Sequence, residues 1–301
     1  MGEQESNQPA WTTFGASVRG SSHMRDGLPN QDAIALLPED TGSASIRNCP
    51  IIAAVSDGHG SKRYIRSEHG ARLAVKSVTA VLREFYGKYA NAGNVSSVKR
   101  EAEETIPRLL VSEWRNAVDE HLATQPFTED EYAALTDAGF TNCHDELSAD
   151  PHRAYGATLI GVLVTQAWLL YAQLGDGDIL AVDSLGVASR PIPRTSDDPV
   201  GEETHSLCQA HAYRFVQIRV APLEDIYSPA MILASTDGLS KSYIHDKGFL
   251  QIGGDLLKMI QTDGIDSVKS QLPGLLDEVS QAGSGDDITL AGAVRHNLTI
   301  V

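Results

Sequence analysis

The 301-residue sequence predicts a mixed α/β fold of two mainly antiparallel sheets flanked by helices. Three observations carry that prediction. Short β-branched apolar runs outnumber helical patterns. They arrive in blocks instead of alternating with helices as repeated βαβ units would. Two pairs of long stretches with apolar residues three and four apart separate the blocks.

In chain order, Trp11–Val18, Ala33–Leu37 and Ile51–Val55 read as strands. A first helix places Ala71, Ala74, Val75, Val78, Val81 and Leu82 on one stripe, with Arg72, Lys76 and Arg83 outside it. A second carries Ile106, Leu110, Trp114, Ala117 and Val118, with Pro107 tolerable if it lies in the first turn, where a missing N–H costs nothing. From about residue 125 to 151 the pattern weakens to a short helical or irregular excursion. Strands follow at Ala157–Val164, Trp168–Leu174, Ile179–Val182, Tyr213–Ile218, Met231–Ser235 and Ile288–Val294, with helices at about Phe249–Gln261 and Ile265–Val279 before the last. No repeat or linker divides the chain, so residues 1–301 are expected to form one domain.

Composition excludes several classes of function. With 24 Lys+Arg against 40 Asp+Glu the formal charge is −16, which repels nucleic acid and anionic lipid. No apolar run reaches the roughly 20 residues that span a membrane. The polar start lacks a secretory signal; Met1-Gly2 with Ser6 fits a myristoylation pattern, but the early glutamates are atypical of such sites. Cys49, Cys143 and Cys208 are odd in number and scattered, which argues against a disulfide framework and for a reducing cytoplasm.

The chemistry lies in the aspartates. Apolar runs end repeatedly in Asp beside Gly: AAVSDGHG delivers Asp57, LLYAQLGDGD delivers Asp176 and Asp178, and MILASTDG delivers Asp237. GSGDD places Asp286 and Asp287 just before a strand, and PNQDAIAL places Asp32 at the head of another. Any single Asp-Gly is more often a turn. If several strand ends converge, however, their carboxylates repel unless cations sit among them, and oxygen-only ligation selects Mg²⁺ or Mn²⁺ and, less specifically, Ca²⁺.

The ordered motifs PNQDA, VSDGHG, GATLIGVLV, LGDGD, ILASTDGLS and GDDITLAGAV resemble those of the metal-dependent Ser/Thr protein phosphatases of type two C over about residues 12–296. Gly20, Ser22, His23 and Arg25 form a GxSHxR-type opening similar to that of bacterial members. The resemblance implies a four-layer α-β-β-α sandwich with a binuclear Mn²⁺ or Mg²⁺ centre at one end. It implies that Asp57 bridges both metals, that Gly58 lends its carbonyl, and that Asp237 and Asp286 complete the other shell. A metal-bridging water would attack phosphorus in phosphoserine or phosphothreonine of a protein substrate, while His59 protonates the leaving oxygen. A cognate Ser/Thr kinase pathway is the implied partner.

The departures from the family pattern are specific. Gln31-Asp32 stands where many relatives have Glu-Asp, leaving Asp32 as the supporting carboxylate. Gly27 occupies the slot of the usual phosphate-binding Arg, so Arg25 serves as a clamp only if the loop is two residues longer. Asp176 lacks the Ser-Arg that commonly follows, and ranks below Asp57. Asp150 lies near, but out of register with, the position of a third-metal ligand. Cys208 and Arg214 match Cys-x5-Arg, but QAHAY between them has no glycine to wrap an anion, and Cys208 is read as part of a buried or edge strand. There is no HExxH, P-loop or GxSxG. Thr195-Ser196-Asp197-Asp198 reads as a solvated loop. Two rivals remain: a catalytically weak phosphatase-like binding module in a phosphosignalling complex, and an unrelated metal-dependent phosphohydrolase of small molecules.

Overall fold

The computed structural model describes residues 11–38, 50–90, 92–194, 204–224 and 228–295. The Met1-Gly2 pattern, Cys49 and the Thr195–Asp198 stretch lie outside them. In chain order the strands are β1 (Trp11–Val18), β2 (Ala33–Leu37), β3 (Ile51–Ser56), β4 (Leu159–Val164), β5 (Trp168–Leu174), β6 (Asp178–Val182), β7 (Ala188–Ser189), β8 (Gln217–Pro222), β9 (Met231–Ser235) and β10 (Ile288–Arg295). The helices are α1 (Ser21–Asp26), α2 (Ser67–Tyr89), α3 (Val95–Thr124), α4 (Glu129–Asp137), α5 (Cys143–Ala149), α6 (Asp237–Lys241), α7 (Asp246–Asp263) and α8 (Ile265–Ala282).

The strands form two five-stranded sheets, β1-β10-β9-β6-β7 and β2-β3-β4-β5-β8, with every pairing antiparallel. Strand periodicity sends alternate side chains to opposite faces. In β3, Ile52 and Ala54 join the core under α2 and α3, while Ile51, Ala53 and Val55 join Ile160, Val162, Ile232, Ala291 and Ala293 between the sheets. Leu180, Leu233 and Leu290 face the other way, against Leu256, Leu257 and Leu272 of α7 and α8. The result is the expected four layers. With both faces covered, the strands read as continuous apolar runs, which is why their ends were visible in the sequence. At Gly161 a Cβ would stand 2.5 Å from Val78 Cγ2, so the glycine lets α2 settle directly on β4.

Several boundaries differ from expectation. The side chain of Asn94 accepts hydrogen bonds from the N–H groups of Ser96 and Ser97 and starts α3 at Val95, so Pro107 stands well inside a 30-residue helix. Ala157 makes an isolated bridge to Gly58, and β4 begins only at Leu159. The segment expected as a strand from Tyr213 begins instead with a 3-10 turn, Ala212–Arg214, where Arg108 lies 4.3 Å from the Tyr213 ring centroid; the strand is Gln217–Pro222. Pro222 is tolerated because β8 is an edge strand. Cys208 lies in a turn, not a strand, buried beside Ser206 Oγ at 3.3 Å. The weak stretch resolves into α4, α5 and a 3-10 turn at Pro151–Tyr155. Here Thr128 and Glu131 cap α4 reciprocally, and Glu131 also receives two hydrogen bonds, at 2.6 and 2.8 Å, from the buried Arg66. Among the described residues no helix is long and apolar enough to cross a membrane.

Candidate active site

The two sheets deliver their strand ends to one place. Asp57 follows the last residue of β3. Its N–H donates to Thr158 Oγ1 at 2.9 Å, its carbonyl accepts the Thr158 N–H at 2.8 Å, and Ser56 Oγ donates to the Thr158 carbonyl at 2.7 Å. These bonds occupy the backbone and leave the Asp57 carboxylate to the site. Gly58 N–H donates to the Gln31 carbonyl at 3.1 Å, and a Cβ at Gly58 would stand 2.6 Å from that same oxygen, so no other residue fits. His59 N–H donates to the Gly156 carbonyl at 3.1 Å, and its ring packs on Tyr64 with centroids 4.8 Å apart.

From the other sheet, Asp237 opens α6 directly after β9, and Asp286 and Asp287 precede β10. Thr236 ties the pieces together: its N–H donates to the Thr289 carbonyl at 3.0 Å, its Oγ1 accepts the Thr289 N–H at 2.9 Å and donates to Asp32 Oδ2 at 2.7 Å. The Asp286-Asp287 doublet divides its labour. Buried Asp287 accepts the Gly20 and Gln31 N–H groups, each at 2.6 Å, and lies 2.9 Å from His23 Nδ1, so its oxygens are fully used in anchoring. Among the described residues the Asp286 carboxylate accepts only the Asp287 N–H at 2.9 Å, with His23 Nε2 3.7 Å away, and the side chain is 38% exposed.

Electrostatics record the convergence. Asp57 keeps partial access to solvent. Its pKa is nevertheless pushed well above the carboxylate range, first by loss of hydration and then by Asp32, Asp237, Asp286 and Asp176. Burial is also the largest influence on Asp32, held well above its ordinary value although Thr236 opposes the shift. Asp237 is pushed up to about 7 by burial and Asp176, against the pull of Lys241. His59 is lowered to about 4 by burial, with Asp176 opposing.

The residues fit a divalent cation. Asp237 Oδ2 lies 2.5 Å from Lys241 Nζ, but Asp237 Oδ1 is buried with no hydrogen-bond partner. An orphan carboxylate oxygen amid other carboxylates is costly unless a cation satisfies it. Among the described residues, no three His, Cys, Asp or Glu side chains are gathered tightly enough to enclose an ion by themselves. Ions here would complete their shells with backbone oxygen and water, as Mg²⁺ and Mn²⁺ do.

The remaining expected site residues make other contacts. Arg25 is exposed on α1, whose inward contact with the carboxylates is made by His23. Asp150 sits between α5 and the 3-10 turn, 3.1 Å from His152 Nδ1, and lines a cavity of about 780 Å³ with Tyr64, on whose ring His59 packs, Arg153 and Cys208. Asp178 is neutralised by Arg190 at 2.6 Å and Arg194 at 2.7 Å. Sequence reasoning missed Thr158, Thr236 and Lys241. Threonines at strand ends carry no distinctive signal, and Lys241 is meaningful only once Asp237 is known to start a helix, four residues earlier.

The family model described as Protein phosphatase 2C matches residues 19–277. The chain belongs to that family. It is thereby one of the protein serine/threonine phosphatases. The match ends before Asp286. Among solved structures, the catalytic domain of the serine threonine protein phosphatase PstP in complex with two manganese ions is 14% identical with a TM-score of 0.54, covering 96% of this chain and 100% of that one. PppA, a regulatory component of T6SS in Pseudomonas aeruginosa, is 14% identical with a TM-score of 0.54 over 96% and 99%. A bacterial serine phosphatase is 15% identical with a TM-score of 0.51 over 94% and 96%. At these identities the likeness speaks for the phosphatase 2C fold. No curated protein matches the chain.

Proposed function

We propose that this phosphatase 2C member hydrolyses phosphoserine and phosphothreonine on proteins at the carboxylate cluster, acting as one domain in a reducing cytoplasm opposite a Ser/Thr kinase. Asp57, the Gly58 carbonyl, Asp237 and Asp286 would hold two Mn²⁺ or Mg²⁺ ions, with Asp32 in support. The observation that carries this reading is the buried, partnerless Oδ1 of Asp237 in a cluster where Asp32, Asp237, Asp286 and Asp176 all push up the pKa of Asp57. Buried free thiols at Cys143 and Cys208 suit the compartment.

When bound, the ions supply an acidified water as nucleophile and offset the charge of the phosphoryl oxygens. The chain's own residues do the rest. Asp287 and Thr236 fix the two sheets' strand ends at a set separation, so the carboxylates need no rearrangement to receive a phosphate. Burial keeps His59 uncharged in the free protein. A phosphate dianion seated beside it would draw a proton onto the ring, and His59 would pass that proton to the departing serine or threonine oxygen. Arg25, on the exposed face of the helix tied in through His23, remains the candidate clamp at the rim.

Asp57→Asn and Asp237→Asn are expected to reduce Mn²⁺-dependent hydrolysis of an aryl phosphate and of a phosphothreonine peptide to background, with circular dichroism unchanged. Turnover at the wild-type rate in either variant would remove the basis of the proposal. A peptide left untouched while nucleotides or sugar phosphates are cleaved would overturn the protein substrate.

A further inference from the structure

Lys241 occupies an unusual place for a cation. It closes α6 one turn after Asp237, and its ammonium lies 2.5 Å from Asp237 Oδ2 while its side chain remains 55% exposed. The neighbouring carboxylates Asp176 and Asp57 also bear on it electrostatically, raising its pKa, against the cost of burial, to about 12. A lysine ammonium is charged at physiological pH in any case, since its ordinary pKa is about 10.4. The His23 imidazole meets the cluster elsewhere, 3.7 Å from Asp286 and 2.9 Å from Asp287.

We infer that Lys241 is a tethered competitor for the metal, a built-in monovalent counter-ion that sets how tightly the centre holds Mn²⁺ or Mg²⁺. This rests on the assignment of Asp237 as a metal ligand. Two effects act in the same direction. A divalent ion taking Asp237 must displace the ammonium from one carboxylate oxygen or share the group with it. After binding, the positive charge four residues away on the same helical face still repels the ion. The ammonium also has somewhere to go, because its exposed stem lets it swing into water. In the metal-free protein the same pair relieves the crowding of carboxylates, so Lys241 stabilises the free state while weakening the loaded one.

The test is a Mn²⁺ titration of the full chain by calorimetry, checked by the electron paramagnetic resonance signal of free Mn²⁺, on wild type, Lys241→Met, Lys241→Gln and Lys241→Arg. A solvent-accessible ion pair shifts an equilibrium constant by up to about fivefold. The two neutral variants are therefore expected to bind Mn²⁺ about threefold to fivefold more tightly, and Lys241→Arg to bind like wild type. The advantage of the neutral variants should shrink as salt rises from about 0.05 to 0.5 M. Their melting temperatures in EDTA should fall, and their rise on adding Mn²⁺ should exceed that of wild type. Unchanged or weaker Mn²⁺ affinity in both neutral variants would overturn the inference. Asp237→Asn separates this from the reading beneath it: if that variant binds Mn²⁺ as wild type does, the metal assignment itself fails. If it loses Mn²⁺ while the Lys241 variants show no gain, only the role of Lys241 fails.

Discussion

At Asp57 and Asp237 the fold holds carboxylates that resist losing their protons when no metal is present. An acid whose folded pKa lies above its unfolded value contributes most to stability below the unfolded pKa, and that contribution is lost as pH rises through the folded one. Asp237, at about 7 against an ordinary 3.8, sets the window. The melting temperature in EDTA is therefore expected to fall from about pH 4 to beyond pH 7, and Mn²⁺ at pH 7.5 to restore it. Asp57→Asn removes one of the repelling charges, so at pH 8 in EDTA it should be more stable than wild type by about 1 kcal/mol or more, the scale of a buried polar group freed from an uncompensated environment. A flat wild-type profile in EDTA, or a less stable Asp57→Asn, would show that the carboxylates do not repel as the geometry requires. Repulsion of this kind was legible in the sequence as repeated Asp-Gly at strand ends. Which member of Asp286-Asp287 is free to act was not, because the answer depends on the Gly20 and Gln31 N–H groups that only the fold brings to Asp287.

Among the elements, α4 shows how a marginal helix is held. Its nine residues bury only Leu135, so its place depends on Glu131, which caps it and grips Arg66. Arg66 is 6% exposed and also donates to the Gln125 and Pro126 carbonyls and to the Tyr155 hydroxyl. Burial pushes the Glu131 pKa up, but hydrogen bonds from Arg66 and Thr128 outweigh it, leaving the value below the usual 4.5. With a lowered folded pKa, the stabilisation is present above the ordinary value and lost as pH falls through the lowered one. Glu131→Gln should cost about 2 kcal/mol at pH 7, the scale of hydrogen bonds to a charged group. The gap from wild type should narrow as pH falls below the ordinary carboxylate range, as read by thermal melts; a gap that does not change with pH would mean the loss is one of shape and not of charge. Element prediction from sequence succeeded where a period could establish itself. It placed β1, β2, β5 and β9 residue for residue, because burial on one or both faces wrote an apolar run. It failed at α1 and α6, too short for a period, and at the start of α3, whose first three turns bury only Val98 and Ala102 and so look polar until Asn94 is seen to cap them.

Over the whole molecule, the carboxylates are divided between the sheets: Asp57 hangs from β3 of one, while Asp237 and Asp286 flank β9 and β10 of the other. The layer between them includes small residues, Ala53, Ala234, Ala291 and Ala293, each at most 3% exposed, so the sheets meet closely and the site inherits their spacing. Ala291→Leu should cost about 1–3 kcal/mol by overpacking this layer. It should also weaken Mn²⁺ binding measurably, although residue 291 is on the strand and not in the site. Lost stability with unaltered Mn²⁺ affinity would show that the site is set by its own loops.

The strand order bears on the protein's biosynthesis. All five strands of the β2-β3-β4-β5-β8 sheet have been translated by residue 222, but in the other sheet β10 lies between β1 and β9 and spans residues 288–295. A growing chain therefore carries β1 without β10, its one partner among the described strands, until residue 295 has been made. Asp286 precedes β10, so the carboxylate cluster is completed only once that strand has docked between β1 and β9.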